Sequence, residues 1–177
     1  RRIMNTPKKI FLLAVIGLFS FMALFSNSSC GIYKFNDASV PDSIKTVKVN
    51  FIENKATYIN PQLSPRLTDK LRQKIVGQTK LTQTNNDNVD WEISGTVTQY
   101  SFSTSAITGQ QAANNRLTVG IQMILVDHKA DKTEKFDVSR SFEFKGNQSF
   151  QQAENDLAEE MIRTLTDDIF NKLFSKW

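Results

Sequence analysis

Between Ala153 and Trp177 apolar residues recur at steps of four: Ala153, Leu157, Met161, Leu165, Ile169, Leu173 and Trp177. Ile162, Phe170 and Phe174 widen the stripe. A period near 3.6 places all of them on one side of a helix and leaves the other side to charged residues. A helix of this kind is not stable alone, so the rest of the chain must supply an apolar surface of matching length. Ser149 followed three residues later by Gln152 opens the helix as a capping box. Glu154, Asp156, Glu159 and Glu160 fill its early turns and Lys172 and Lys176 its last, matching the helix dipole.

The surface comes from runs that alternate. Val47, Val49 and Phe51 point one way and Lys48 and Asn50 the other, which predicts a half-buried strand over 46–52. Trp91, Ile93, Gly95 and Val97 form a second run, after which Tyr100 and Phe102 take the opposite phase. Either a bulge near Gln99 or a covered outer face accounts for the switch. Leu117, Val119, Ile121, Met123 and Leu125 form a third strand. Phe136, Val138, Phe142 and Phe144 form a fourth, after a turn at Asp127–Asp131. Three consecutive strands joined by loops imply an antiparallel meander. Ahead of them, Ser64-Pro65 reads as an N-cap and first turn, Leu67, Leu71 and Ile75 as one helix face, and Gly77 as the stop. Arg66, Lys70, Arg72 and Lys74 fall outside, and the stretches around 53–62 and 82–88 read as polar connectors. The expected fold is an α+β two-layer sandwich of order βαβββα. A four-stranded, mostly antiparallel sheet carries two helices on one face.

Of the 22 basic residues, Arg1, Arg2, Lys8 and Lys9 lie in 1–29 with no acid, so basic and acidic residues balance at 18 each from residue 30 onward. The positive net charge is therefore no sign of a nucleic-acid partner, and none is expected. One Cys and one His exclude a disulfide framework and a Cys/His metal cluster.

Lys8 and Lys9 precede an apolar run from Ile10 to Phe25, followed by Ser26-Asn27-Ser28-Ser29 and the single Cys30. This has the layout of a secretory signal, with Met4 as the expected start and a run shorter than the ~20 residues of a spanning helix. A lone Cys just after the apolar run resembles a bacterial lipobox, in which the thiol is acylated and becomes the mature N-terminus. Several acyl chains at ~0.8 kcal/mol per buried CH₂ would hold the domain to a membrane. The chain then divides into a signal peptide (1–29), a lipidated tether (30–45) and one α+β domain (46–177). Gly31-Ile32-Tyr33-Lys34-Phe35 brings no acid after Cys30. By resemblance to known sorting rules, this favours the periplasmic face of the outer membrane.

No phosphate-cradling Gly loop, nucleophile elbow or H-E-x-x-H motif occurs, and no catalytic residue, cofactor or metal is expected. His128 falls in the expected turn, where histidines point into water. Asp167 and Asp168 diverge by about 100° on a helix and read as a solvated face. More unusual is an absence: no charged residue stands between Glu92 and Arg116. The span is either a surface loop or a hairpin tip that inserts into a partner, where unpaired charge is costly. Arg140, in phase with Val138 and Phe142, either pairs with an acid at the sheet edge or meets a partner.

Cys30-Gly31, the Val40-Pro41-x-x-Ile44-Lys45 entry, Leu63-Ser64, Leu71-Arg72 and Arg140-Ser141-Phe142 before an amphipathic terminal helix together resemble the LPS-assembly lipoprotein family, LptE. The neutral span ending in Asn115-Arg116-Leu117-Thr118 is more similar to Bacteroidota members than to enterobacterial ones. The resemblance implies a lipoprotein that plugs the LptD outer-membrane β-barrel, helps it assemble and helps pass lipopolysaccharide to the outer leaflet. It implies Cys30 as the lipidation site and Arg116 and Lys145 as lipopolysaccharide contacts. Partner contacts would come from Ser103, Thr104, Ile107, Gln110, Asn114 and Arg140. Family members carry basic residues at the start of the last helix, where this chain has Gln151 and Gln152. The alternative is a stand-alone periplasmic lipoprotein holding a small lipid or glycan on the sheet near Tyr100, Phe102 and Ile124.

Overall fold

The computed structural model describes residues 40–108 and 111–174, and the side chains of 105–108 and 111–113 are left aside. The leader, Cys30, the tether up to residue 39, Gln110, Lys176 and Trp177 lie outside the described residues. The strands are β1 (Thr46–Val49), β2 (Glu53–Asn54), β3 (Thr82–Gln83), β4 (Trp91–Thr108), β5 (Gln111–Asp127) and β6 (Lys132–Lys145). The helices are α1 (Leu63–Gln78) and α2 (Phe150–Phe174). The sheet is six-stranded and mixed, in the order β3-β1-β4-β5-β6, with β2 also on β4.

This corrects the expected four-stranded, mostly antiparallel sheet in two ways. β1 runs parallel to β4 because α1 lies between them, and a helical crossover returns the chain to the same end of the sheet. The two stretches read as connectors each give up a dipeptide to the sheet. Thr82–Gln83 lies parallel to β1, and Glu53–Asn54 lies parallel to β4. The meander of β4, β5 and β6 is antiparallel as expected, and β5–β6 hold one unbroken register from Asp127↔Lys132 to Asn114↔Lys145.

The phase switch in β4 is a bulge. Register slips between Val97 and Gln99, leaving Thr98 as the extra residue, and its hydroxyl donates to the Gly120 carbonyl at 3.3 Å. Tyr100 and Phe102 thereby rejoin the face that carries Trp91, Ile93 and Val97, with Tyr100 buried and Phe102 packed on the core. Along β5, all of Leu117, Val119, Ile121, Met123 and Leu125 are buried against it. Gly95 leaves room for the Met123 thioether, whose sulfur lies 2.6 Å from where a Cβ would stand.

β1 is shorter than expected and the chain changes phase after it. Val47 and Val49 are buried, whereas Phe51 is exposed and Ile52 takes the core position. The Arg72 guanidinium donates to the Val49 carbonyl at 3.1 and 2.7 Å, and the Ile52 N–H donates to Thr68 Oγ1 at 3.0 Å. These three bonds to α1 side chains capture the chain and turn it. Arg72 is thus not a solvated residue of that helix. Nor is Ser64 its cap: α1 begins at Leu63, and the Asn60 side chain accepts the Gln62 N–H at 2.9 Å instead. Gly77 lies inside the helix, and Thr79 closes it, its N–H and hydroxyl both donating to the Ile75 carbonyl.

In α2 the apolar stripe from Ala153 to Phe174 is buried, with Leu157 partly so. The Ser149 hydroxyl accepts the Gln152 N–H at 3.3 Å, the N-terminal half of the expected capping box. The two helices are tied by Arg66–Glu159 at 2.8 Å and Lys74–Asp167 at 2.9 Å, and the Lys74 ammonium lies 5.1 Å from the centre of the Phe170 ring. Partly exposed pairs of this kind contribute under about 1 kcal/mol each. Apolar burial supplies most of the stability.

Asp90 fastens the entry strand. Its carboxylate accepts the Lys45 N–H at 2.7 Å and the Thr46 N–H at 3.0 Å, with the Lys129 ammonium at 3.2 Å. The two amides hold this carboxyl down at about 2. Its contribution is therefore complete above the unfolded value near 4 and is lost as pH falls through about 2. Acid unfolding followed by circular dichroism should show the native chain losing stability across that window, at most about 2 kcal/mol of it from this partly solvated carboxyl. Asp90→Asn should remove that part of the pH dependence. An unchanged acid limb in the variant would count against this role.

Candidate partner-binding ribbon

β4 has 18 residues and spans ~60 Å at 3.3 Å per residue, well beyond the short β1 and β2 on one side of it and matched only by β5 on the other. β6 stops at Lys145, opposite Asn114, so the last part of β4–β5 is a two-stranded ribbon paired through Ile107↔Ala112 and Thr108↔Gln111. The neutral stretch is therefore strand up to Thr108 and again from Gln111, not a loop. Gly109 and Gln110 lie outside the described residues.

The face of the ribbon base away from the core is small and polar. Ser101, Thr118 and Ser141 form one cross-strand row, with Thr118 Oγ1 and Ser141 Oγ 2.9 Å apart. Ser103, Arg116 and Glu143 form the next, where Arg116 donates to Glu143 at 3.0 Å. Lys145, two residues beyond Glu143 on the same strand, shares that face and is exposed. Arg116 and Lys145 are thus brought to one face with a carboxylate between them. Ser103, Thr104 and Asn114 are exposed near the same end, and Ile107 is placed there by its backbone.

Arg140 is committed inside the fold. Its guanidinium grips Asp168 of α2 through both Nε and Nη2, the latter at 2.8 Å. Asp167 and Asp168 do diverge, but each takes a cation, so they are not the solvated face expected. His128 stands in the turn, half exposed, with its Nε2 3.4 Å from Glu92. The Asn50 side-chain amide, donating at 2.7 Å, holds the Glu92 carboxyl below its ordinary range.

An aromatic knot sits where the ribbon leaves the core. Phe102 stacks on Phe150 with centroids 4.3 Å apart, Tyr58 stacks on Tyr100 at 5.6 Å, and Phe144 meets Phe102 edge-on at 6.0 Å. Glu154, buried on α2, accepts from the Tyr58 hydroxyl and the Asn60 amide, both at 3.2 Å. Asn60 also donates to the Tyr100 hydroxyl at 3.2 Å. Burial pushes the Tyr100 phenol far above its usual value, and burial followed by the Glu154 charge raises Tyr58. A cleft of about 340 Å³ opens beside this knot, lined by Tyr58, Asn60, Arg66, Gln151 and Glu154 among others. Sequence reasoning missed Tyr58 and Glu154 as partners, which lie 96 residues apart. The one usable signal was Glu154 lying beside the apolar stripe, between Ala153 and Leu157.

The sheet-face patch of the alternative reading does not form. Tyr100 and Phe102 face the core, returned there by the bulge, while Ile124 stands on the other side of the sheet. Among the described residues no cluster of three or more His, Cys, Asp or Glu side chains is placed to hold a metal ion. None of their helices is long and apolar enough to cross a membrane.

The LptE family model, described as lipopolysaccharide-assembly, matches residues 44–173. No curated protein matches the chain. Among solved structures, the chain is similar to a hypothetical protein from Chlamydia trachomatis, with 7% identity and TM-score 0.49 over 75% of this chain and 99% of that one. It is also similar to a minor lipoprotein from Acinetobacter baumannii, with 13% identity and TM-score 0.44 over 74% and 88% of the two chains. A rare lipoprotein B from Shewanella oneidensis gives 14% identity and TM-score 0.42 over 73% and 93%.

Proposed function

Since this chain belongs to the LptE lipopolysaccharide-assembly family, we propose that it is the lipoprotein subunit of a lipopolysaccharide translocon. In this reading it seats in the lumen of the LptD β-barrel, helps that barrel assemble and helps deliver lipopolysaccharide to the outer leaflet. It performs no catalysis. The acylated Cys30 tethers it to the outer membrane on the periplasmic side.

The observation that carries this reading is the ribbon. A hairpin that enters a barrel loses its water, and every unpaired charge on it then costs several kcal/mol. β4 and β5 run from Ile93 to Asn115 without one. Ser103, Thr104, Ile107, Gln110 and Asn114 are the barrel contacts in this reading. Arg140 serves the seating indirectly by holding α2 to β6. Arg116 and Lys145, on one face at the ribbon base, are the groups for lipopolysaccharide phosphates, Arg116 exchanging Glu143 for the anion.

Tagged full-length protein, isolated from outer membranes in gentle detergent and examined by mass spectrometry, should bring a large β-barrel protein in near-equal amount. Recovery of the lipoprotein alone, acylated at Cys30, would overturn the plug role and leave only the anchor.

A further inference from the structure

We infer that the free edge of β4 between Gln99 and Thr104 is a strand-docking site, which accepts an extended, uncharged segment of the barrel partner through main-chain hydrogen bonds. The inference rests on the plug reading and specifies how the two proteins join.

On one side β4 is paired with β5 throughout. On the other, β1 pairs with Val47↔Trp91 to Val49↔Ile93, and β2 pairs with Thr96 and Val97. Past Val97 no strand occupies that side among the described residues. The Asn50 N–H donates to the Ile93 carbonyl and the Lys55 N–H to the Val97 carbonyl, so these residues turn their main-chain groups outward from β5. Adding Thr98 at the bulge shifts the alternation by one. The outward groups beyond it are then those of Tyr100, Phe102 and Thr104, while Ser101 and Ser103 bond to β5. Gln99 to Thr104 keeps unbroken register with Gly120 to Asn115, so this edge is regular over the length of an ordinary strand.

Unpaired edges invite other strands, and proteins protect them with charge, proline or shortness. The two outer edges of this sheet are protected in those ways. β3 has 2 residues, and β6 carries Lys132, Glu134, Lys135, Asp137, Arg140, Glu143 and Lys145 among its 14. The β4 edge has neither charge nor proline. An incoming strand would extend the lane that β2 already fills. Tyr58, half exposed and stacked on Tyr100, would lie beside it to receive an apolar side chain.

Neutral Gln99, Ser101 and Ser103 next to the edge suit a partner strand without charge. A second copy pairing here would share only six residues between two bulges, far short of the ~1,200 Å² a stable association needs. A strand belonging to a surrounding barrel brings the rest of that surface with it.

Residue-resolved hydrogen exchange on the full-length complex and on the lipoprotein alone, in the same detergent, tests the inference. The amides of Phe102 and Thr104 should exchange about tenfold or more slowly in the complex, and those of Ser101 and Ser103 slowly in both. Thr104→Pro, which deletes an outward N–H, should lower barrel recovery about tenfold more than Thr104→Ala does. A barrel that co-purifies while the amides of Phe102 and Thr104 exchange at unchanged rates overturns strand docking and leaves the plug reading standing. Failure to recover any barrel overturns both. Protection that appears in the lipoprotein alone and grows with its concentration assigns the edge to a second copy and overturns the inference as stated.

Discussion

Leu165→Ala should destabilise the domain by about 2–5 kcal/mol, read as a lower denaturant midpoint at unchanged slope. Leu165 is fully buried at the middle of α2, in the same core as Met161, Ile169, Ile93, Ile121 and Met123. Truncation there loses the transfer energy of the side chain and leaves a cavity under a sheet that cannot sink to fill it. Domains of this size are stable by only about 5–15 kcal/mol, so a large part of the total is at stake. Lys70→Ala, on the exposed side of α1, should stay within about 0.5 kcal/mol. A Leu165 variant within 1 kcal/mol of the native chain would mean that α2 is not the second layer of the core.

How much of this core could be read in advance depends on how local its causes are. The stripe of α2 and the alternation from Leu117 to Leu125 were legible because each residue's burial follows from its neighbours' spacing. The phase break of Tyr100 and Phe102 against Val97 was legible for the same reason. A bulge and a covered outer face would both produce that pattern, and the cross-strand register decides for the bulge. β2 and β3 left no such trace. Each is made by main-chain bonds, Lys55 N–H to the Val97 carbonyl and Thr82 N–H to the Lys45 carbonyl, and polar side chains do not announce those. The exchange of Phe51 for Ile52 depends on Arg72 and Thr68, some 16–23 residues away in sequence. No window along the strand contains them.

The candidate site divides the same way. The missing charge between Glu92 and Arg116 is visible in one line of sequence, and it marks the ribbon. What the cations nearby do is set by long-range pairing: Arg116 with Glu143, 27 residues on, and Arg140 with Asp168, 28 residues on. The Tyr58–Glu154 contact crosses 96 residues. Side chains that look free in the sequence are thus engaged, whereas Lys145 stands exposed beside them.

A single charge at Ser101 should separate a ribbon that is dry in its complex from one that stays in water. Ser101 is exposed on the neutral face, in a row with Thr118 and Ser141 and one row from the Arg116–Glu143 pair. In the isolated domain, Ser101→Glu or Ser101→Lys meets solvent and should change stability by no more than about 0.5 kcal/mol. Seated in a barrel, either charge loses its water with nothing built to pair it, at a cost of about 3–5 kcal/mol. Barrel recovery should then fall by about two to four orders of magnitude for both signs, while the larger but uncharged Ser101→Gln loses far less. The two signs together make the experiment decisive. Loss with Glu alone would point to an acidic partner surface, and loss with Lys alone to a basic one. If both charged variants recover the barrel as well as the native chain, this face stays wet, and neutrality is not what fits the ribbon to its partner.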